Sequence, residues 1–127
     1  MTTEKTILIV EDEQAMVGVL KDKLGLEGFL VLTASDGEEG LKVALEHQPD
    51  LILLDIVMPV MDGMAMLKKL REDAWGKTVP VIILTNLDTN DKILEGVTHD
   101  QPSYYFIKSD IKIEDAIQKV KEILSTP

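Results

Sequence analysis

The sequence predicts an α/β domain in which one parallel sheet lies between two layers of helices. Three observations predict it. Short aliphatic runs alternate with helix-patterned stretches five times along the chain, the pattern of a parallel sheet joined by right-handed crossovers. Most of these runs are apolar throughout rather than on alternate residues, as in strands buried on both faces. Four of the five end abruptly in polar residues: Glu11-Asp12, Asp55, Thr85 and Lys108. In a parallel sheet those four ends share one edge, the carboxyl edge where open α/β sheets place their chemistry.

Thr6–Val10 (TILIV) is β-branched and apolar and predicts the first strand. Gln14–Leu26 carries Met16, Leu20 and Leu24 near the 3.6-residue period of a helix, with Gly28 as its C-terminal cap. Phe29–Thr33 predicts the second strand. Ser35-Asp36-Gly37 is a turn able to cap the next helix, which runs to about Glu46 on Leu41 and Leu45 and stops at Pro49. The third strand is Leu51–Asp55. After the Asp62-Gly63 turn, Met64–Glu72 predicts a helix resting on Leu67 and Leu70, and Trp75-Gly76 marks a loop. Val79–Leu84 predicts the fourth strand, with Pro80 near its start, where a missing N–H does least harm. Asn90–Val97 predicts a short fourth helix within the least regular region of the chain. Tyr104–Ile107 is the fifth strand. The fifth helix carries Ile113, Ile117, Val120 and Leu124 in one stripe, with Ala116 and Ile123 beside it.

The 127 residues are expected to form a single domain, 1–127, with no output domain in this chain. With 45% hydrophobic residues, the chain can build a real core. It has no cysteine, which removes disulfides, thiolate metal sites and cysteine nucleophiles together. No apolar run approaches membrane-helix length, and the N-terminus goes directly into a strand pattern with no signal-peptide layout, so a cytoplasmic setting without membrane contact is expected. The formal net charge of −10 argues against nucleic-acid binding by this domain.

The polar strand ends bring three carboxylates, a hydroxyl and a lysine to one edge. Clustered carboxylates stay ionised together only beside a compensating cation. All-oxygen ligands with no histidine or cysteine suit a hard cation, of which Mg²⁺ is the usual choice. A carboxylate beside Mg²⁺ and a lysine is a workable nucleophile toward a phosphoryl group, whose oxygens Lys108 and the Thr85 hydroxyl can contact. Bland readings stand beside these. Asp55 taken alone is as readily a strand-end aspartate, and Glu13 reads as a helix-start acid favoured by the helix dipole. His47 and His99 match no metal spacing, and Met58, Met61, Met64 and Met66 read chiefly as loop and core packing.

The Glu11-Asp12 pair after TILIV, the segment LLDIVMPVMDG, Thr85 after VIIL, and YFIK ending at Lys108 together resemble the receiver domain of two-component response regulators, over essentially the whole chain. The resemblance, closest in type to chemotaxis receivers, implies a flavodoxin-like, doubly wound five-stranded sheet of order 2-1-3-4-5 with five helices in three layers. It implies that Asp55 is the phosphoacceptor and that Mg²⁺ is held by Glu11, Asp12, Asp55 and the backbone carbonyl of Val57. It implies further that Lys108 pairs with the phosphoryl group and that Thr85 and Tyr105 are the switch residues, with Pro59 and Gly63 shaping the loop after Asp55. The donor would be a phosphohistidine on a sensor histidine kinase or a histidine phosphotransfer protein. The output would be the face of the fourth helix, fifth strand and fifth helix, on a monomer or weak dimer. Such a domain phosphorylates itself and is not a turnover enzyme on external substrates.

Two residues depart from the pattern. Ser109 stands where family members usually have a proline in the cis form, and Asn86 follows Thr85 where a small residue is common. They motivate a second reading, a constitutive protein-interaction module with impaired switching. A hydrolase of the haloacid dehalogenase type needs an aspartate two residues after the nucleophile, where this chain has Val57. The resemblance implies that the side chains of Val57 and Leu87 tune access of water to the acyl phosphate; both are apolar and cannot orient an attacking water, which implies slow self-dephosphorylation.

Overall fold

The computed structural model describes residues 4–55, 61–85, 104–107 and 112–125, with Thr85 and residues 104–107 described as backbone. Five parallel strands form one sheet: β1 (Thr6–Val10), β2 (Leu30–Ala34), β3 (Leu51–Leu54), β4 (Val81–Thr85) and β5 (Tyr104–Ile107). Their order is β2-β1-β3-β4-β5, as the resemblance implies. Among the described residues three helices lie between strands, α1 (Gln14–Leu26), α2 (Gly37–His47) and α3 (Gly63–Glu72), and a C-terminal helix spans Ile113–Ser125. The helix expected over Asn90–Val97 lies outside the described residues.

Alternation along the strands sorts the core onto two faces. Leu8, Val10, Ile52, Leu54, Val81 and Ile83 pack with Ala44 of α2 and Met66, Leu67 and Leu70 of α3. Ile7, Ile9, Leu51, Leu53, Ile82 and Leu84 pack with Val17, Leu20 and Leu24 of α1 and with Ala116, Ile117 and Val120 of the C-terminal helix. The inner strands are therefore apolar on consecutive residues, Ile7–Val10, Leu51–Leu54 and Val81–Leu84, as a sheet covered on both sides requires. Each such side chain contributes roughly 1.5–3 kcal/mol through burial.

Helix ends follow local chemistry. At the end of α1, Gly28 adopts φ +93°. Its N–H donates to Gly25 O (3.0 Å) and that of Phe29 to Leu24 O (3.2 Å). This is the paired-bond arrangement of a Schellman cap, completed by Phe29 packing on the cluster that contains Leu24. Asp36 and Asp62 cap α2 and α3, each carboxylate accepting a backbone N–H three residues on at 2.8 Å.

Several expected boundaries shift. The second strand is Leu30–Ala34 rather than Phe29–Thr33, because Phe29 is taken up by the helix cap. The fourth strand is Val81–Thr85 rather than Val79–Leu84: Pro80 precedes it, supplying only its carbonyl, to Ile52 N–H (3.0 Å). Asp62 capping starts α3 at Gly63, one residue before the expected Met64. Asp55 falls just after β3 rather than within it, and α2 continues to His47. The face of α2 also differs. Gly37, Gly40 and Ala44 are its buried residues, while Leu45 is 41% exposed. A Cβ on Gly40 would lie 2.8 Å from a Val10 methyl and 3.1 Å from Met66 Sδ, so the helix approaches β1 and α3 too closely for a larger residue.

Candidate functional site

The register of the central strands builds the site. Val10 pairs with Ala34 on one side and with Leu54 on the other. The ladder extends one residue further: Glu11 N–H donates to Ala34 O (3.0 Å) and Asp55 N–H donates to Val10 O (2.9 Å). Glu11 and Asp55 thus leave adjacent strands at the same level, on the carboxyl edge of the sheet. Asp12 is one residue further along, before α1 begins.

These three acids converge. One carboxylate oxygen from each of Glu11, Asp12 and Asp55 lies within 4.8 Å of the others. Glu11 and Asp55 are buried, at 3% and 6% exposure, while Asp12 is exposed. The cluster therefore has two buried acids and one that faces solvent. Glu11 is oriented by the turn that follows it: its Oε2 accepts the backbone N–H of Glu13 at 3.2 Å. Glu13 itself is the N-cap residue of α1, with no side-chain capping bond. Among the described residues no histidine or cysteine belongs to the cluster. This hard, all-oxygen donor set fits Mg²⁺ and does not suit a soft or imidazole-seeking metal.

The remaining expected residues are placed to different degrees. Thr85 ends β4, and its backbone pairs with Ile107, the residue before Lys108. Tyr105 pairs with Ile83 across the same strands. The side chains of Thr85 and Tyr105 lie outside the described residues, as do Val57, Pro59, Lys108, Asn86, Leu87, Ser109, Met58 and His99 entirely. Gly63 opens α3. His47 is exposed at the end of α2, while Met66 is buried and Met61 and Met64 pack on the core, as expected for packing residues.

One contact near the site escaped the sequence. The N–H of Gly37, at the start of α2, donates to the carbonyl of Met61 at 2.8 Å, tying the turn after β2 to the segment between Asp55 and α3. Ser35-Asp36-Gly37 signals a turn and a cap, but nothing in it names a partner so distant in sequence.

The comparisons with known proteins agree with this geometry. Residues 7–121 match the family described as response regulator receiver domain. The chain is 44% identical over 91 residues to the alkaline phosphatase synthesis transcriptional regulatory protein PhoP of Bacillus subtilis, covering 71% of this chain and 37% of that protein. It is 37% identical over 119 residues to the response regulator ArlR of Staphylococcus aureus, covering 93% of this chain and 52% of that protein. The chain thus spans about a third to a half of the length of these relatives. Among solved structures, it is similar to a CheY-like response regulator receiver domain protein from Methanospirillum hungatei, with a TM-score of 0.88 and 28% identity over 97% of this chain and 95% of that one.

Proposed function

The chain belongs to the response regulator receiver domain family, the phosphoacceptor module of two-component signalling, and from that premise we propose that Asp55 is its phosphoacceptor. The observation that carries the proposal is the convergence of Glu11, Asp12 and Asp55 on one pocket at the carboxyl edge of the sheet. A carboxylate at a strand end, flanked by two further acids, has the placement a phosphoryl-accepting group needs: reachable from the sheet edge, yet held by buried neighbours.

Glu11, Asp12 and Asp55, with the Val57 carbonyl, would hold Mg²⁺. The metal, when bound, supplies positive charge that offsets the phosphoryl oxygens and the crowded acids. The residues do the rest. A carboxylate oxygen of Asp55 attacks phosphorus, and the phosphorus–nitrogen bond of a phosphohistidine breaks, leaving imidazole and an aspartyl phosphate. Glu11 and Asp12 keep the pocket acidic and orient its donors. Lys108 pairs with the phosphoryl oxygens, and the Thr85 hydroxyl donates to one of them. A phosphorylated state is favoured only by the contacts it adds, so Thr85 and Tyr105 would be the residues that bias the domain toward its active conformation.

The donor is a sensor histidine kinase or a histidine phosphotransfer protein. The output face combines the helix expected over Asn90–Val97 with β5 and the C-terminal helix, and the same face would serve a weak dimer. Among the described residues no helix is long and apolar enough to cross a membrane. On this reading the chain is a cytoplasmic module that modifies itself and turns over no external substrate.

The test is incubation with acetyl phosphate and Mg²⁺ followed by intact-mass measurement, with Asp55→Ala alongside. The expected result is one phosphoryl adduct on the wild type and none on the variant. An adduct of equal yield on a folded Asp55→Ala protein would remove Asp55 from the role. No adduct on the folded wild type from any phosphodonor would favour a constitutive interaction module.

A further inference from the structure

We infer that Gly37 is a positioning residue for the acidic pocket, acting through the Met61 carbonyl. The inference rests on reading Glu11, Asp12 and Asp55 as a Mg²⁺ site and goes beyond it by naming what holds that site in shape.

Three backbone hydrogen bonds frame the cluster. Asp55 N–H donates to Val10 O (2.9 Å), Glu11 N–H donates to Ala34 O (3.0 Å), and Gly37 N–H donates to Met61 O (2.8 Å). Asp55 and Met61 bracket the connection between β3 and α3, while Ala34 and Gly37 bracket the turn between β2 and α2. Met61 is anchored from its other side too, since the next residue, Asp62, caps α3 through Ala65 N–H at 2.8 Å. The Gly37–Met61 bond is the closing link between the strand pair bearing Glu11 and the segment leaving Asp55.

Gly37 is there for space. Among the described glycines only Gly28 has a positive φ, so the backbone at Gly37 is open to any residue. Its surroundings are not. A Cβ at Gly37 would sit 2.3 Å from the Met61 carbonyl oxygen, 2.9 Å from the Met61 carbonyl carbon and 3.0 Å from the Asp62 carbonyl oxygen. All three are backbone atoms, so no rotamer change can relieve the clash. Either the turn of residues 35–37 retreats, pulling on Ala34 and the Glu11 amide it holds, or Met61 and Asp62 retreat from the turn and the tie is lost.

The glycines supply the controls. Gly76 is equally intolerant, with a Cβ there falling 2.1 Å from Leu70 O, but it lies in the loop after α3, outside the frame. Gly18 has nothing within 4 Å of such a Cβ. The experiment measures Mg²⁺ affinity by isothermal titration calorimetry for the folded wild type, Gly37→Ala, Gly76→Ala and Gly18→Ala, each checked by circular dichroism and thermal melting. Gly37→Ala is expected to bind Mg²⁺ about tenfold or more weakly, the size of effect seen when groups supporting metal ligands are disturbed. Gly76→Ala is expected to melt earlier yet bind Mg²⁺ as the wild type does, and Gly18→Ala to match the wild type in affinity.

A second measurement needs no variant. Amide hydrogen exchange on the wild type is expected to show the Gly37 N–H slowing severalfold on adding Mg²⁺, because a frame that shapes the site is reciprocally stabilised by its ligand. Wild-type affinity in folded Gly37→Ala, or a Gly37 amide indifferent to Mg²⁺ when the wild type binds it, would overturn the inference while leaving the Mg²⁺ site standing. A wild type that binds no Mg²⁺ would overturn both.

Discussion

Replacing Asp55 by asparagine keeps the size of the side chain and removes one charge from a pocket where three carboxylate oxygens lie within 4.8 Å of one another. Unit charges 4.8 Å apart repel by about 3.5 kcal/mol at an effective dielectric constant near 20. Asp55→Asn removes two of the three pairings. Exposure of Asp12 to solvent weakens its share. The expected net gain for the metal-free protein is about 1–2 kcal/mol at neutral pH and low salt, after that discount on the Coulomb figure. In a domain of this size it raises the melting temperature by roughly 3–8 °C. Mg²⁺ reverses the order of benefit. At about a hundred times its dissociation constant it should stabilise the wild type by about 2.7 kcal/mol, and Asp55→Asn by far less at the same concentration. The assay is urea or thermal unfolding of both proteins, with and without Mg²⁺. A metal-free Asp55→Asn protein clearly less stable than the wild type, together with equal stabilisation of both by Mg²⁺, would refute the reasoning.

Other consequences follow from single contacts. Asp36→Ala removes the carboxylate that accepts Glu39 N–H at 2.8 Å and should lower stability by about 1 kcal/mol in urea titrations; an unchanged midpoint would show that the cap carries no weight. On the C-terminal helix, backbone hydrogen bonding at Glu114, and then the Lys23 ammonium at 3.2 Å, hold the Glu114 carboxyl below its ordinary value of 4.5. A depressed carboxyl stabilises the fold above that ordinary value, and its contribution is lost as pH falls through the lower folded value. Glu114→Gln should therefore narrow its stability difference from the wild type as pH drops below 4.5, and a difference that widens there would contradict the assignment.

Strand positions and the carboxyl-edge acids were legible because most strands are apolar runs and four of the five lead directly into a polar residue. Glu11 and Asp55 could be brought together from strand order alone, and that order came from the resemblance. The inner face of α2 was not legible. Its buried positions are Gly37, Gly40 and Ala44, residues with almost no hydrophobic signal, whereas Leu45 carries the signal and faces solvent. Strand edges shifted where a neighbour competed for the backbone: Phe29 went to the cap of α1, and Pro80 could not donate to the sheet. The loop after α3 was visible only as Trp75-Gly76. Its shape comes from Arg71, which donates to Gly76 O (2.6 Å) and Val79 O (2.8 Å), and from Asp73, which accepts from Trp75 and Gly76 N–H. Such contacts depend on where side chains meet carbonyls, and carbonyls leave no trace in sequence.

The central claim is that Asp55, one of three clustered acids, accepts the phosphoryl group. Its most direct test is reductive trapping: treat the acetyl phosphate- and Mg²⁺-incubated protein with borohydride, which converts an aspartyl phosphate to homoserine, then map the peptides covering every aspartate by tandem mass spectrometry. Homoserine at position 55 alone is the predicted result. Homoserine at position 12, or at any other aspartate with position 55 unmodified, would contradict it.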